Sequence, residues 1–292
     1  MKQLIVLSAI LSCITLAYAQ EAPVLVDARW LNENSAKPGL VILQVNALRL
    51  DYEKEHIAGA RFLWPGWLAP DSPEGNYNAP DPSKATEILQ GLGVSTNSHV
   101  VICHVRNEVA PAARMFLTLE HLGLKGRVSF LNGGLEAWKK EGYPVTAELP
   151  VVKKGNFKAK PTGLLVDRNY VMDKLKTGSS TIVDARLKRF YDGDPTGYPR
   201  DGHIAGAMNI PYTELLNASN LFKPVDSLQH YFGSIAPLKD KELVSYCFIG
   251  QSASVVYLAG RALGYPMKLY DGSMQEWSRI EECPMEKSPG KD

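Results

Sequence analysis

His56-Ile57-Ala58-Gly59-Ala60 recurs letter for letter as His203-Ile204-Ala205-Gly206-Ala207. A second pair of segments follows in the same order: Leu131-Asn132-Gly133-Gly134-Leu135-Glu136-Ala137-Trp138 after the first copy, and Tyr270-Asp271-Gly272-Ser273-Met274-Gln275-Glu276-Trp277 after the second. Self-similarity at this distance marks a repeated folding unit. Between the two segments of each half lies a β-branched run followed by a helical pattern: Val100-Val101-Ile102-Cys103 then residues 110–122, and Leu243-Val244-Ser245-Tyr246-Cys247 then residues 253–263. Each pattern stops at a glycine, Gly123 or Gly264, the residue that most readily takes the left-handed backbone of a helix C-terminus. Two domains of like fold are the economical reading: residues 20–148 and 161–292, with a linker at 149–160 inside the Pro- and Lys-bearing stretch from Pro144 to Pro161.

Within the halves, Thr181-Ile182-Val183-Asp184, Leu243 to Tyr246 and Met267-Lys268-Leu269-Tyr270 are short and apolar enough for the interior of a parallel sheet. Helices between them would cover both faces. The fold class predicted is α/β, each domain an open, mainly parallel sheet, and in such folds ligands bind beyond the C-terminal ends of the strands. Cys247 stands at such an end.

The 292 residues are enough for two cores, and 45% hydrophobic with 22% charged is an ordinary globular composition. With 32 basic and 31 acidic residues the net charge is +1, so no global field favours nucleic acid or an anionic membrane, and a small-molecule substrate is the expectation. The N-terminus reads Met1, Lys2, an apolar run from Leu4 to Leu16, then Ala17-Tyr18-Ala19, the parts of a secretory signal cleaved after Ala19. That predicts a secreted or periplasmic protein with no membrane association after cleavage; lipoprotein processing at Cys13 is the rival, set back by the apolar run continuing past it. Cleavage leaves Cys103, Cys247 and Cys283, an odd and widely spaced set that makes no disulfide framework, so at least one thiol stays free.

Cys247-Phe248-Ile249-Gly250-Gln251-Ser252 places a thiol at a strand end, then a Gly-bearing loop, then a helix start. Successive loop amides and the positive end of the helix dipole favour an anion there, and a helix N-terminus lowers a thiol from its usual titration near pH ~8.5 toward the reactive thiolate. Ser252 sits where a helix cap or a hydroxyl donor to bound sulfur would be useful. A structural cysteine is the competing reading, and position alone does not decide between them. Asp184-Ala185-Arg186 ends the strand expected beside that of Cys247, where Arg186 could clamp an anionic substrate with its forked donors; pairing with Asp184 alone is the plainer alternative. His203 has a twin, His56, in a half without the loop, so both histidines read as structural.

With these residues in order, the chain resembles the tandem rhodanese family of sulfurtransferases that act on thiosulfate or 3-mercaptopyruvate. The resemblance rests on Asp184-Ala185-Arg186, Gly202 to Ala207 with Asn209-Ile210-Pro211, the loop from Cys247 to Ser252, and Asp271-Gly272-Ser273 with Glu276-Trp277. It implies two rhodanese-like domains, a catalytic C-terminal one and an N-terminal one without a nucleophile. It also implies a sulfur taken by Cys247 as a persulfide and passed to cyanide or a thiol, no cofactor and no metal, and substrate contacts from Arg186, Phe248, Ile249, Gly250, Gln251 and Ser252. Thiosulfate enzymes of the family carry basic residues after the cysteine and mercaptopyruvate enzymes a Gly-Ser-Gly run. Phe248-Ile249-Gly250-Gln251 is neither, and looks like the Cys-aromatic-x-Gly-x-Ser loop of single-domain rhodaneses, which leaves thiosulfate first and 3-mercaptopyruvate second.

In the first half, counting back from Gly123 puts Arg106 opposite Cys247, Glu108 puts a carboxylate in the loop, and Asn46-Ala47-Leu48 replaces Asp184-Ala185-Arg186. Cys103 therefore reads as a buried strand residue, and Cys283 carries no motif. A cysteine phosphatase would need Arg near Ala253, and no close Cys or His pairs suggest zinc. A non-catalytic sulfur carrier or binding protein on the same scaffold remains the alternative from another class. Two internally paired domains make a monomer sufficient.

Overall fold

The computed structural model describes residues 21–73 and 75–289. The expected leader, its cleavage point and Cys13 lie outside the described residues.

The first domain contains strands β1 (Leu25–Val26), β2 (Leu40–Val45), β3 (His56–Ile57), β4 (Arg61–Leu63), β5 (His99–His104), β6 (Val128–Leu131) and β7 (Val145–Thr146), with helices α1 (Ala28–Asn34), α2 (Arg49–Lys54), α3 (Pro82–Gly91), α4 (Val109–Leu119) and α5 (Gly134–Lys140). The second contains β8 (Leu165–Val166), β9 (Ser180–Asp184), β10 (His203–Ile204), β11 (Met208–Asn209), β12 (Glu242–Tyr246), β13 (Met267–Tyr270) and β14 (Met285–Glu286), with α6 (Arg168–Thr177), α7 (Lys188–Asp192), α8 (Val225–Ile235), α9 (Ala253–Ala262) and α10 (Ser273–Trp277). The main sheets run β1-β6-β5-β2-β4 and β11-β9-β12-β13-β8, all pairs parallel. Read from β8, the second order repeats the first, as the sequence repeat predicts.

Strand residues alternate between two cores, so both faces of each sheet are covered. Val41, Leu43, Val45, Val100 and Ile102 point into one core with α3 and α4, while Ile42, Val101 and Cys103 point into another with α1 and α5. The second domain divides the same way: Val183 and Leu243 share the first core, whereas Ile182, Val244 and Tyr246 face α6 and α10. The first core thus belongs to both domains, joined where α4 packs on α9. Across this join the contacts come in related pairs. Asn132 Oδ1 accepts the Phe222 amide (2.8 Å), its repeat counterpart Asp271 Oδ2 accepts the Ala79 amide (2.8 Å), and the helix counterparts Glu120 and Arg261 meet each other at 3.0 Å.

The repeated segments have one structural job. Each His-Ile pair forms a two-residue antiparallel ribbon with the last strand of its own domain, β3 with β7 and β10 with β14. The repeated tryptophans donate from their indoles to Pro144 O (2.9 Å) and Pro284 O (3.1 Å), clasping the domain's end to its middle. The histidines bond backbone in the same manner, His56 Nδ1 to Tyr52 O (2.8 Å) and His203 Nδ1 to Tyr191 O (2.6 Å), each stacked on that tyrosine. Helix α4 ends sooner than the pattern suggests: it widens into a turn at Glu120–Leu124, with Gly123 at φ 109. The stretch from 147 to 162 has no helix or strand but is docked along the first domain, Phe157 being buried with its amide on Val94 O (3.2 Å).

Candidate active site

Strand β12 is the middle strand of its sheet, and β9 lies beside it in a register that pairs Tyr246 with Asp184. The Asp184-Ala185-Arg186 and Cys247 segments therefore leave the sheet together, at its C-terminal edge. Cys247 is 1% exposed. Its backbone is held from the other flank: its amide donates to Ser273 Oγ (3.3 Å), its carbonyl accepts from Met274 (3.0 Å), and the Phe248 carbonyl accepts from Gln275 (3.0 Å). The repeated Asp-Gly-Ser segment at 271–273 is the bracket for the cysteine.

From Phe248 to Ser252 the chain turns back toward α9. Gly250 sits at φ +78, a left-handed conformation that only glycine takes at little cost. Among the described residues no group accepts from the N–H groups of residues 248–252. Such amides at a helix N-terminus form a concave set of donors suited to an anion bound over Cys247. Ser252 occupies the position before α9, yet its side chain makes no capping hydrogen bond; Ser254 Oγ instead donates to Gly250 O (2.9 Å). The capping half of the expectation for Ser252 is therefore not met.

Arg186 is 2% exposed and lies beside Cys247, but most of its fork is spent within the protein. Nε and Nη2 grip Asp184 (3.0 Å to Oδ1, 2.6 Å to Oδ2), and Nη2 also reaches Gly202 O (2.7 Å). Asp184 is fully buried and takes the Tyr246 hydroxyl as well (2.8 Å). Burial works against the guanidinium's charge, but the Asp184 carboxylate outweighs it and holds the pKa of Arg186 above its ordinary value, with Cys247 adding in the same direction. The side available to a ligand is Nη1, for which no described residue is an acceptor; the guanidinium carbon lies 5.1 Å from the Phe248 ring centre.

Sequence reasoning missed the aromatic cluster on Phe248, the residue after Cys247. Phe190 and Tyr198 pack on Phe248, at 5.2 Å and 5.7 Å between ring centres, and with Arg189 and Thr196 they line an open cavity of about 700 Å³. Burial raises the pKa of Tyr198, and Cys247 contributes in the same direction. No periodicity announces this cluster, because Thr196 and Tyr198 lie in the loop at 193–202 that follows α7, an insertion with no counterpart after α2 in the first half. Gln251 points the other way, into the first domain, where its amide donates to the Tyr77 hydroxyl (2.8 Å). A second cavity, of about 550 Å³, lies there between Trp64, Tyr77, Glu108 and Gln251.

The matching loop of the first domain is built differently. Arg106, in the place of Cys247, has φ 44 and pairs with Asp51 (3.2 Å), while Glu108 accepts the Ala47 amide (2.9 Å). Burial raises the pKa of Glu108 above the usual carboxylate range. Cys103 lies on the sheet face away from α4, fully buried, and burial pushes its thiol far up. Cys283 is also buried, with its pKa raised chiefly by burial, and all three described cysteines are free.

A family model described as the rhodanese-like domain matches this chain twice, over residues 20–141 and 167–280. The chain belongs to the rhodanese-like family. The first match covers the first sheet; the second begins just after β8, covers the other four strands of the second sheet and contains the Cys247 loop. Among curated proteins the rhodanese-like chain is 30% identical to the sulfur carrier protein TtuD of Thermus thermophilus, over 90% of this chain and 96% of that one. It is 28% identical to the thiosulfate sulfurtransferase of Azotobacter vinelandii (90% and 97%) and 28% identical to the 3-mercaptopyruvate sulfurtransferase of Escherichia coli (89% and 97%). Among solved structures, wild-type EanB superposes with a TM-score of 0.80 at 22% identity, over 92% of this chain and 70% of that one, a likeness of fold.

Proposed function

We propose that this rhodanese-like protein is a sulfurtransferase in which Cys247 takes a sulfane sulfur from thiosulfate and hands it to a thiol or to cyanide. The family and its sulfurtransferase relatives support sulfur transfer. The observation that carries the assignment to Cys247 is the unclaimed set of loop amides around a buried sulfur at a sheet's C-terminal edge. The Cys247 thiolate attacks the outer sulfur of thiosulfate, and the S–S bond breaks with its electron pair leaving on sulfite. The Cys247 persulfide that results carries its negative charge on the terminal sulfur, where the amides of residues 248–252 can donate to it. The acceptor then attacks that terminal sulfur and releases the Cys247 thiolate; cyanide leaves as thiocyanate, a thiol as its persulfide. Nη1 of Arg186, which no described residue claims, and Arg189, which lines the cavity together with Asp194, are the cationic groups offered to the donor's anionic end. With 3-mercaptopyruvate, the second candidate donor, the same attack breaks the C–S bond, its electron pair leaves as the enolate of pyruvate, and the proton of the donor's thiol ends on that carbon.

Intact mass after incubation with each donor tests this reading. The wild type gains one sulfur atom, cyanide removes it, and Cys247→Ser neither gains it nor turns over. A Cys247→Ser variant as active as the wild type would sink the mechanism. A chain that loads sulfur but passes it to no small acceptor would be a carrier, the reading that TtuD's name raises. Export is proposed on the Lys2, apolar-run and Ala17-Tyr18-Ala19 pattern, and N-terminal sequencing of the mature chain should begin at Gln20. A monomer is proposed because α4 and α9 already bury each other, and sedimentation should report the mass of one chain.

A further inference from the structure

Arg114, on α4 of the first domain, is 0% exposed and spends its guanidinium on the second domain. Nη2 donates to Asp271 Oδ1 (2.5 Å) and to Tyr77 O (2.7 Å); Nη1 donates to Gly250 O (3.4 Å), the carbonyl at the turn of the Cys247 loop. One side chain of the domain without a nucleophile thus touches both the loop and the Asp271-Gly272-Ser273 bracket that holds Cys247.

The repeat shows that this is no requirement of the fold. Val45 pairs with His104 and Asp184 with Tyr246, so aligning Asn46 with Asp184 puts Arg106 at the place of Cys247. The same count puts Glu120 opposite Arg261, and these two do meet across the join at 3.0 Å, which checks the register. In that register the counterpart of Arg114 is Val255, buried and apolar. At this one position of the join α4 carries an arginine and α9 a valine, and the arginine is the one that reaches the loop of Cys247.

Its chemical effect follows from the planarity of the peptide. In a trans peptide the carbonyl and the next N–H point in opposite directions. Arg114 Nη1 and Ser254 Oγ draw Gly250 O toward the helices, so the Gln251 N–H turns away from them, into the ring of loop amides. Gly250 has no side chain to obstruct this, since a Cβ there would lie 2.8 Å from Nη1. We propose that Arg114 is a positioning residue for sulfur transfer, setting the Cys247 loop from the opposite domain. The proposal deepens the sulfurtransferase reading and rests on it for its kinetic consequence.

The test compares Arg114→Met and Arg114→Lys with Glu120→Gln, which disturbs the same domain join away from the loop. Single-turnover persulfide formation is measured over a range of thiosulfate, and iodoacetamide alkylation of Cys247 over a range of pH. In R114M the saturating rate should fall roughly tenfold to a hundredfold while half-saturation moves less than about threefold, the pattern of a misplaced rather than unbound reactant. Its alkylation profile should move to higher pH, and R114K should recover part of both losses. E120Q should melt at a lower temperature and keep the wild-type rate and profile. A folded R114M with the wild-type rate and profile, or with changes no larger than those of E120Q, would overturn the proposal. Should R114M not fold, R114K decides on the same two readouts. If the wild type loads no sulfur from either donor, the sulfurtransferase reading falls separately; the alkylation profile then still reports whether Arg114 sets the loop.

Discussion

Replacing Asp184 by Asn tests the electrostatic floor of the site. The carboxylate is fully buried and receives the Arg186 amide (2.9 Å), the Arg186 side chain (3.0 Å from Nε, 2.6 Å from Nη2) and the Tyr246 hydroxyl (2.8 Å). An asparagine keeps one acceptor oxygen and turns an NH2 toward the donors. Arg186, 1% exposed at its side chain, is left with Gly202 O and no counter-charge. Removing one partner of a buried pair typically costs about 3–5 kcal/mol, because the remaining charge stays desolvated. At roughly 2–4 °C per kcal/mol for a domain of this size, the melting temperature should drop by roughly 6–20 °C. Guanidinium denaturation followed by tryptophan fluorescence measures the loss. The double variant Asp184→Asn with Arg186→Met should regain at least half of it, since the site is then neutral. A loss under about 1 kcal/mol in D184N, or no recovery in the double variant, would refute the reasoning that an uncompensated Arg186 is the cause.

Three further outcomes follow from other parts of the molecule. His104 is buried with neither ring nitrogen hydrogen-bonded among the described residues, and burial lowers its pKa to about 4. The unfolded imidazole takes up its proton near pH ~6.5, so the unfolded state binds more protons below that value. Native stability should fall as the pH drops toward 4, by up to ~3 kcal/mol from this group. In His104→Phe that fall should flatten, as seen by denaturation at about pH 7 and about pH 4.5, and an unchanged pH slope would count against the assignment. Gly250→Ala should lose ~1–2 kcal/mol at its positive φ and at least about tenfold in persulfide formation, whereas a wild-type rate would mean that the loop tolerates displacement. Because Cys247 is 1% exposed beneath Phe248, a bulky maleimide should label the wild type far more slowly than iodoacetamide. Phe248→Ala should narrow that difference and raise the KM for the donor; equal labelling of the wild type by both reagents would contradict the covered cleft.

Much of the fold is legible in sequence because repeated units repeat their physics. The same strand runs, the same glycine stops and the same His-Ile and Trp segments serve the same two-residue ribbon and the same indole bond in each half. Cys247 is legible too, since a thiol at a strand end before a Gly-bearing loop can be read without coordinates. Arg186 shows the limit. Its place beside Cys247 follows from strand order, but the direction of its fork depends on Asp184 being buried, and no spacing rule reports burial. Ser252 is the same kind of case: it stands before the helix as a cap should, while the hydroxyl bond to the loop comes from Ser254.

What the sequence alone determined is therefore local and periodic: two α/β domains, a candidate nucleophile in one of them, and a first-domain loop that lacks a glycine and carries Glu108, which makes it a poor anion cradle. What only the tertiary structure decided depends on groups distant along the chain. Tyr198 packs on Phe248, Gln251 turns to Tyr77, and Arg114 crosses from the first domain to the loop of the second. The physical reason is that helix and strand signals arise from neighbours a few residues apart. A guanidinium between Tyr77, Gly250 and Asp271 is specified by the packing of α4 on α9, and in sequence it is one arginine in an apolar helix.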